Sequence, residues 1–223
     1  MTITPETIVK DIATQYPLAT RVFARHKIDF CCGGNRPLAS SCADKGLNPE
    51  QVIEEIKKEV QTSGSPVESW ADAAPADLIR HILTAYHQPL YEEMPRLKAM
   101  AKKVLDVHGD KDPERFRGIH DTLSALVADL EQHMAKEEQI LFPMIQAGQG
   151  AMAGGPISVM QYEHENAGEM LRTLRSLTND YTVPEEACAT WGALWKGLEA
   201  LETSLHEHIH LENNILFPRV QSA

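Results

Sequence analysis

Residues 133–143, "HMAKEEQILFP", and residues 208–218, "HIHLENNILFP", are two versions of one phrase set 75 positions apart. Both carry a histidine, a glutamate four residues later, and Leu-Phe-Pro at offsets eight to ten. On a helix, residues four apart are separated by about 40° and one turn, so the histidine and the glutamate face the same layer. The residues before them say which layer it is. Ile119, Leu123, Leu126 and Leu130 lead into His133 and Glu137, with Ile140 and Met144 beyond. Trp191, Leu194, Leu198, Leu201 and Leu205 lead into His208 and Glu212, with Ile215 beyond. Apolar residues at alternating three- and four-residue steps mark helices that bury one face. The polar pairs therefore point into a core.

Two more seams have the same character. One runs Leu83, His87, Leu90, Met94, Leu97, Ala101 and Val104, the other Ile157, Met160, His164, Ala167, Leu171 and Leu174, and each is interrupted by a histidine. The separating stretches "HGDKDPE", "GQGAMAGGP" and "NDYTVPEE" carry glycine, proline and cap residues. Connections this short favour antiparallel neighbours, which predicts an all-α, up-down-up-down four-helix bundle. Counting from the helix ends that such a topology brings together, His87, His133, His164 and His208 agree in level within roughly 8 Å at about 1.5 Å per residue. His206 and His210 lie about 200° from His208 on the wheel, and His81 about 120° from His87, so these three face elsewhere.

Burying an ionised carboxylate without a partner costs several kcal/mol, which pairing or a metal offsets. His87, His133, Glu137, His164, His208 and Glu212 form one candidate set. Imidazole and carboxylate without thiolate suit iron or manganese better than a six-ligand zinc site. If both glutamates bridge and each metal takes two histidines, two metals are implied. A solvent-derived oxo or hydroxo bridge would make five ligands on each, leaving a position for a small diatomic molecule.

Bulk properties narrow the partners. The chain has 223 residues and a formal charge of -11, with 32 acidic against 21 basic residues and no long basic block. Nucleic acid and anionic membrane are therefore not expected partners. "MTITPETIVKDIATQYPL" has no basic stretch before an apolar core, and no run of about 18 apolar residues occurs, so a cytoplasmic protein is expected. Four cysteines, Cys31, Cys32, Cys42 and Cys188, suggest no disulfide framework. Residues 1–62 read as a small helical module carrying the Cys-Cys motif, 63–75 as a linker rich in Ser, Gly and Pro, and 76–223 as the bundle.

With "DFCCGG" (29–34) and "GGPISVMQYEHENAGEM" (154–170) added to the two duplicated phrases, the chain resembles the repair of iron centres family, of the ScdA and YtfE type. Its second part resembles the hemerythrin-like HHE domain and its first the ScdA-type N-terminal domain. The resemblance implies two non-haem iron ions held by His87, His133, Glu137, His164, His208 and Glu212. It also implies repair of iron-sulfur clusters damaged by nitrosative and oxidative stress, by reduction of nitric oxide to nitrous oxide or by donation of iron. Damaged iron-sulfur proteins and nitric oxide or oxygen are the implied partners, and a homodimer is among the assemblies to be expected. The alternative is a sensor of oxygen, nitric oxide or iron without catalysis. Oxygen-carrying hemerythrins use a fifth seam histidine, and its absence here argues against simple oxygen storage.

Asp129, one turn before His133, and Glu163, beside His164, are candidates to orient ligands or move protons. Glu138 and Asn213 follow the two glutamates and read as surface or interface residues. Cys31 and Cys32 are candidate redox thiols, with His26 and Cys42 as weaker assistants, and Cys188 reads as packing. Pro89, two residues after His87, predicts a kink that would shift that ligand. The linker, roughly 13 residues long, can bring the Cys-Cys segment toward the metal end of the bundle.

Overall fold

The computed structural model describes residues 2–62 and 70–222. They form helices and, among the described residues, no strand; a single isolated bridge pairs Ile8 with Pro37. Two compact units are present: the residues up to Leu78 together with those from His206 onward, and Ile79–Leu205. The linker expected over 63–75 lies in large part outside the described residues.

In the first unit, α1 (Val9–Gln15), α2 (Ala19–His26), α3 (Leu38–Ala43) and α4 (Pro49–Thr62) enclose a core of Val9, Ile12, Val22, Phe23, Phe30, Leu38, Val52 and Ile56. Local chemistry sets the ends. The Asn48 side chain accepts from the Glu50 backbone N–H at 2.8 Å, directly before Pro49 opens α4. Lys27 closes α2 in the left-handed region, φ 56°.

The second unit contains the long helices α6 (Gln88–His108), α7 (Pro113–Lys136), α9 (Gly154–Leu177) and most of α10 (Ala189–Leu211). Short helices α5 (Pro75–Ile82), α8 (Phe142–Gln146) and α11 (Phe217–Gln221) extend the ligand-bearing ones. Asp112 caps α7 by accepting from the Arg115 N–H at 3.2 Å, with Pro113 in the first turn. The four long helices share one apolar core, from Leu90, Met94 and Leu97 on α6 through Leu123, Leu126 and Leu130 on α7 and Leu171 on α9 to Leu194, Trp195 and Leu198 on α10. Gly197 allows α6 and α10 to close up, since a Cβ there would fall onto Leu97 Cδ2. No helix among the described residues is long and apolar enough to cross a membrane.

Candidate metal centre

Three of the ligand-bearing helices widen by one residue where they reach the candidate site. π turns span Leu83–His87, Glu137–Leu141 and Glu212–Leu216, each closed by an N–H bonding five residues back: Gln88 to Leu83, Phe142 to Glu137, Phe217 to Glu212. Each is followed within two residues by a proline, Pro89, Pro143 or Pro218. A prolyl ring clashes with the carbonyl four residues back in a regular helix, and the wider turn moves that carbonyl away. Pro89 therefore does not carry His87 off the seam; His87 is buried at the end of its π turn.

The inserted residue also corrects the expected helical phase. The buried face shifts across the π turns: Ile82 is followed by His87 and Glu137 by Leu141 and Phe142, while in the second phrase Ile215, expected in the core, is buried together with Leu216 and Phe217. Ile140, expected in the core, is 52% exposed, and Met144 is half-buried; Leu141, Phe142 and Ile145 are buried in their place. Leu83 is likewise half-buried. The ring of Phe142 lies 5.9 Å from that of His87, which gives the Phe of the first Leu-Phe-Pro a place in the wall of the site.

Within Ile79–Leu205, His87 Nε2 lies 3.5 Å and His133 Nε2 3.4 Å from the same oxygen, Glu137 Oε2. His164 Nε2 is 3.0 Å from His133 Nε2. On the C-terminal segment, His208 Nε2 lies 3.0 Å from Glu212 Oε1. All six residues are buried. They form two overlapping sets, His87, Glu137, His208 and Glu212, and His133, Glu137, His164 and Glu212, in each of which the ligand atoms lie within 4.8 Å of one another. Both sets use both glutamates.

The far nitrogens of two histidines are engaged. His87 Nδ1 donates to Glu138 Oε1 at 2.8 Å and His133 Nδ1 to Glu163 Oε2 at 3.0 Å. A neutral imidazole that gives up Nδ1–H presents a lone pair at Nε2, the form a metal needs. Glu163 also pairs with Lys136. Burial pushes the Glu163 carboxyl up, but the hydrogen bonds from Lys136 and His133 outweigh it and hold the group below its ordinary value.

Neither oxygen of Glu137 accepts a hydrogen bond, although the side chain is fully buried. The two Nε2 atoms nearest to it lie beyond the usual 2.7–3.2 Å of an N–H···O bond. Such a carboxylate in an apolar core, faced by imidazole nitrogens, asks for a cation. Nitrogen and oxygen donors without thiolate, two imidazoles and two carboxylates to each set, fit iron or manganese.

The other sequence candidates divide. Glu163 supports His133 as described, whereas Asp129 is exposed on α7 and has no hydrogen-bond or ion-pair partner among the described residues. Glu138, read as a surface residue, bonds His87 instead. Sequence reasoning missed it because the position after a ligand normally faces away; the proline after Leu-Phe, which accompanies the wide turn in both copies of the phrase, is the signal that could have found it. Cys188 is not packing: it is exposed, with Sγ 3.3 Å from His108 Nε2. His26 pairs with Glu55 at 2.9 Å and Cys42 sits in the N-terminal core.

Cys31 is buried and Cys32 half-buried, both as free thiols. The hydrogen bond with Cys32, then burial and the charge of Asp29, push the Cys31 thiol well up, so it is held protonated; its Sγ lies 3.2 Å from Asp29 Oδ1. Their loop is seated on the segment around Glu212. Phe30 O accepts from His210 Nδ1 and Asn214 Nδ2, both at 3.3 Å, and Cys31 O accepts from Asn214 Nδ2 at 3.2 Å. Asn213 Nδ2 approaches Cys32 Sγ at 3.9 Å. His210 is thus buried against the N-terminal module and outside both ligand sets, and burial lowers its imidazole to about 4. Gly34 lets the loop fold back, since a Cβ there would stand 2.7 Å from Phe30 O.

Residues 78–220 match the hemerythrin HHE cation binding domain, and residues 5–60 match ScdA_N, a domain of unknown function. The chain is 44% identical over 209 residues to the iron-sulfur cluster repair protein YtfE of Dickeya chrysanthemi (strain Ech1591), covering 94% of each. It is 46% identical over 208 residues to the protein of that name from Yersinia pseudotuberculosis serotype O:1b (strain IP 31758), covering 93% of each. The Yersinia pestis (strain Pestoides F) protein is 45% identical over 208 residues, with the same coverage.

Proposed function

The chain belongs to the hemerythrin HHE cation-binding family, within the group of ScdA_N-bearing iron-sulfur cluster repair proteins, and from that premise we propose that it repairs damaged clusters through a bound pair of iron ions. His87 and His208 serve one iron, His133 and His164 the other, and Glu137 and Glu212 are shared between them. The observation that carries this reading is the overlap of the two four-residue sets in both glutamates, with Glu137 buried and its oxygens accepting no hydrogen bond.

When bound, the iron pair supplies the electrons with which two nitric oxide molecules and two protons become nitrous oxide and water. The chain does the rest. Glu138 and Glu163 hold the His87 and His133 rings by their Nδ1–H, so that each Nε2 faces inward. Phe142, Leu141 and Leu130 are buried in the helices that carry the site and exclude water from it. Burial of every ligand candidate admits a diatomic gas more readily than a larger solute, and it slows metal loss. Reduction is therefore favoured over donation. Damaged iron-sulfur proteins are the targets in this reading. The cytoplasm is the compartment, which suits four free thiols.

The test is anaerobic addition of nitric oxide to the reduced, iron-loaded protein, with nitrous oxide and retained iron measured per chain. About one nitrous oxide per iron pair with iron retained supports the reading. Iron released without nitrous oxide moves the function to donation. Neither product, with nitric oxide simply bound, leaves a sensor.

A further inference from the structure

We propose that Glu138 is a positioning residue for His87, holding it in the one tautomer that can ligate and so setting the affinity of one of the two metal positions. The inference rests on the metal-binding reading above. Glu138 Oε1 accepts from His87 Nδ1 at 2.8 Å and from the Tyr91 hydroxyl at 3.3 Å. An ionised carboxylate only accepts, so the Nδ1 of His87 carries the proton and its Nε2 offers a lone pair toward Glu137, whose Oε2 lies 3.5 Å away. His87 and Tyr91 stand four apart on one helix face and close on Glu138 together.

The π turn makes this arrangement available. Glu137 and Glu138 are its first two residues, yet both turn toward the same histidine: Glu137 from inside the core, Glu138 from a position with a third of its side chain exposed. Wide turns of this kind occur at functional sites. The duplicated phrase sharpens the point. Where the first copy has Glu138 the second has Asn213, whose amide turns toward the Cys32 sulfur. An amide and a carboxylate at matching positions make the two copies chemically unequal. His133, in the other set, is supported differently, by a carboxylate already paired with Lys136. One metal position is thus backed by Glu138 and Tyr91, the other by Glu163 and Lys136, and a change at Glu138 acts on the first alone.

The test uses the full chain with Glu138→Leu and Glu138→Gln, read in two ways. In the metal-free protein, long-range proton–nitrogen NMR correlations report the His87 tautomer. Nδ1–H is expected in the natural chain and in Glu138→Gln, whose side-chain carbonyl still accepts, and a mixed or Nε2–H form in Glu138→Leu. In anaerobic ferrous titrations, Glu138→Leu is expected to lose about 10–100-fold in affinity at one of two positions, the range for a lost support of a ligating histidine, while Glu138→Gln stays near the natural chain. Unchanged tautomer and unchanged affinity in Glu138→Leu would overturn the proposal. Affinity lost equally at both positions would overturn its site selectivity. If the natural chain binds no metal, the functional reading fails while the tautomer measurement still judges Glu138. Glu138→Ala replaces Glu138→Leu should the latter not fold.

Discussion

Replacing Glu137 by methionine is expected to stabilise the metal-free protein and to destabilise the metal-loaded one relative to the natural chain. In the absence of metal, Glu137 is a fully buried carboxylate with no hydrogen-bond donor on either oxygen and with imidazole nitrogens no nearer than 3.4 Å. An unsatisfied buried acceptor costs about 1–3 kcal/mol, more when charged. Exchanging buried ionic groups for apolar ones of similar volume gains about 1–4 kcal/mol, and methionine is unbranched and adapts to the space. A gain of about 2 kcal/mol corresponds to a Tm rise of about 4–8 °C for a chain of this size. With ferrous iron at 100 times its Kd, one bound ion adds about 2.7 kcal/mol to the natural chain, a term the variant loses at the shared position. The order of the two melting curves should therefore reverse between chelator and iron. Anaerobic circular dichroism melts of both proteins, with and without iron, give all four midpoints. A metal-free Glu137→Met protein that melts below the metal-free natural chain would refute the claim that this carboxylate is held at a cost which metal offsets.

His208→Ala is expected to lose iron measured by elemental analysis, whereas His210→Ala keeps it and loses about 0.5–1.5 kcal/mol of stability from the hydrogen bond to Phe30 O, which keeps Asn214 as a donor. The double replacement of Cys31 and Cys32 by serine should leave two irons per chain and an unchanged iron absorption spectrum, since neither thiol belongs to either ligand set. Gly197→Ala should lower the stability of the bundle by about 1–3 kcal/mol in denaturant unfolding, because the added methyl meets Leu97 across α6 and α10.

What the sequence disclosed and what it concealed follow from one assumption, a constant 100° per residue. On α9, which has no π turn, that assumption holds, and Ile157, Met160, His164, Ala167, Leu171 and Leu174 are all buried as the seam predicts. Histidine and glutamate four apart lie before or at the start of the wide turns, so their inward direction is also readable. Beyond Glu137 the phase slips by one residue, which exposes Ile140, buries Leu141 and Phe142, and turns Glu138 toward a histidine. The approach of the Cys-Cys segment to the ligand-bearing end was open to a length argument, but the residue-by-residue pairing between distant segments was not readable. Nothing in the spacing of Phe30 and His210, or of His108 and Cys188, marks them as neighbours.

The three π turns also bear on how the protein moves. Each places a proline, which contributes no amide hydrogen, within two residues of a stretched hydrogen-bond ring, so each of these helices has its weakest link beside a ligand candidate. Local opening takes place where the fewest bonds must break. In the metal-free chain the amides of Gln88, Phe142 and Phe217 are expected to take up deuterium ahead of the other helical amides in hydrogen-exchange measurements, before the bundle as a whole unfolds. On the metal-binding reading proposed above, opening at these places would uncover one histidine or carboxylate at a time, giving an ion a way in while the core of leucines stays shut.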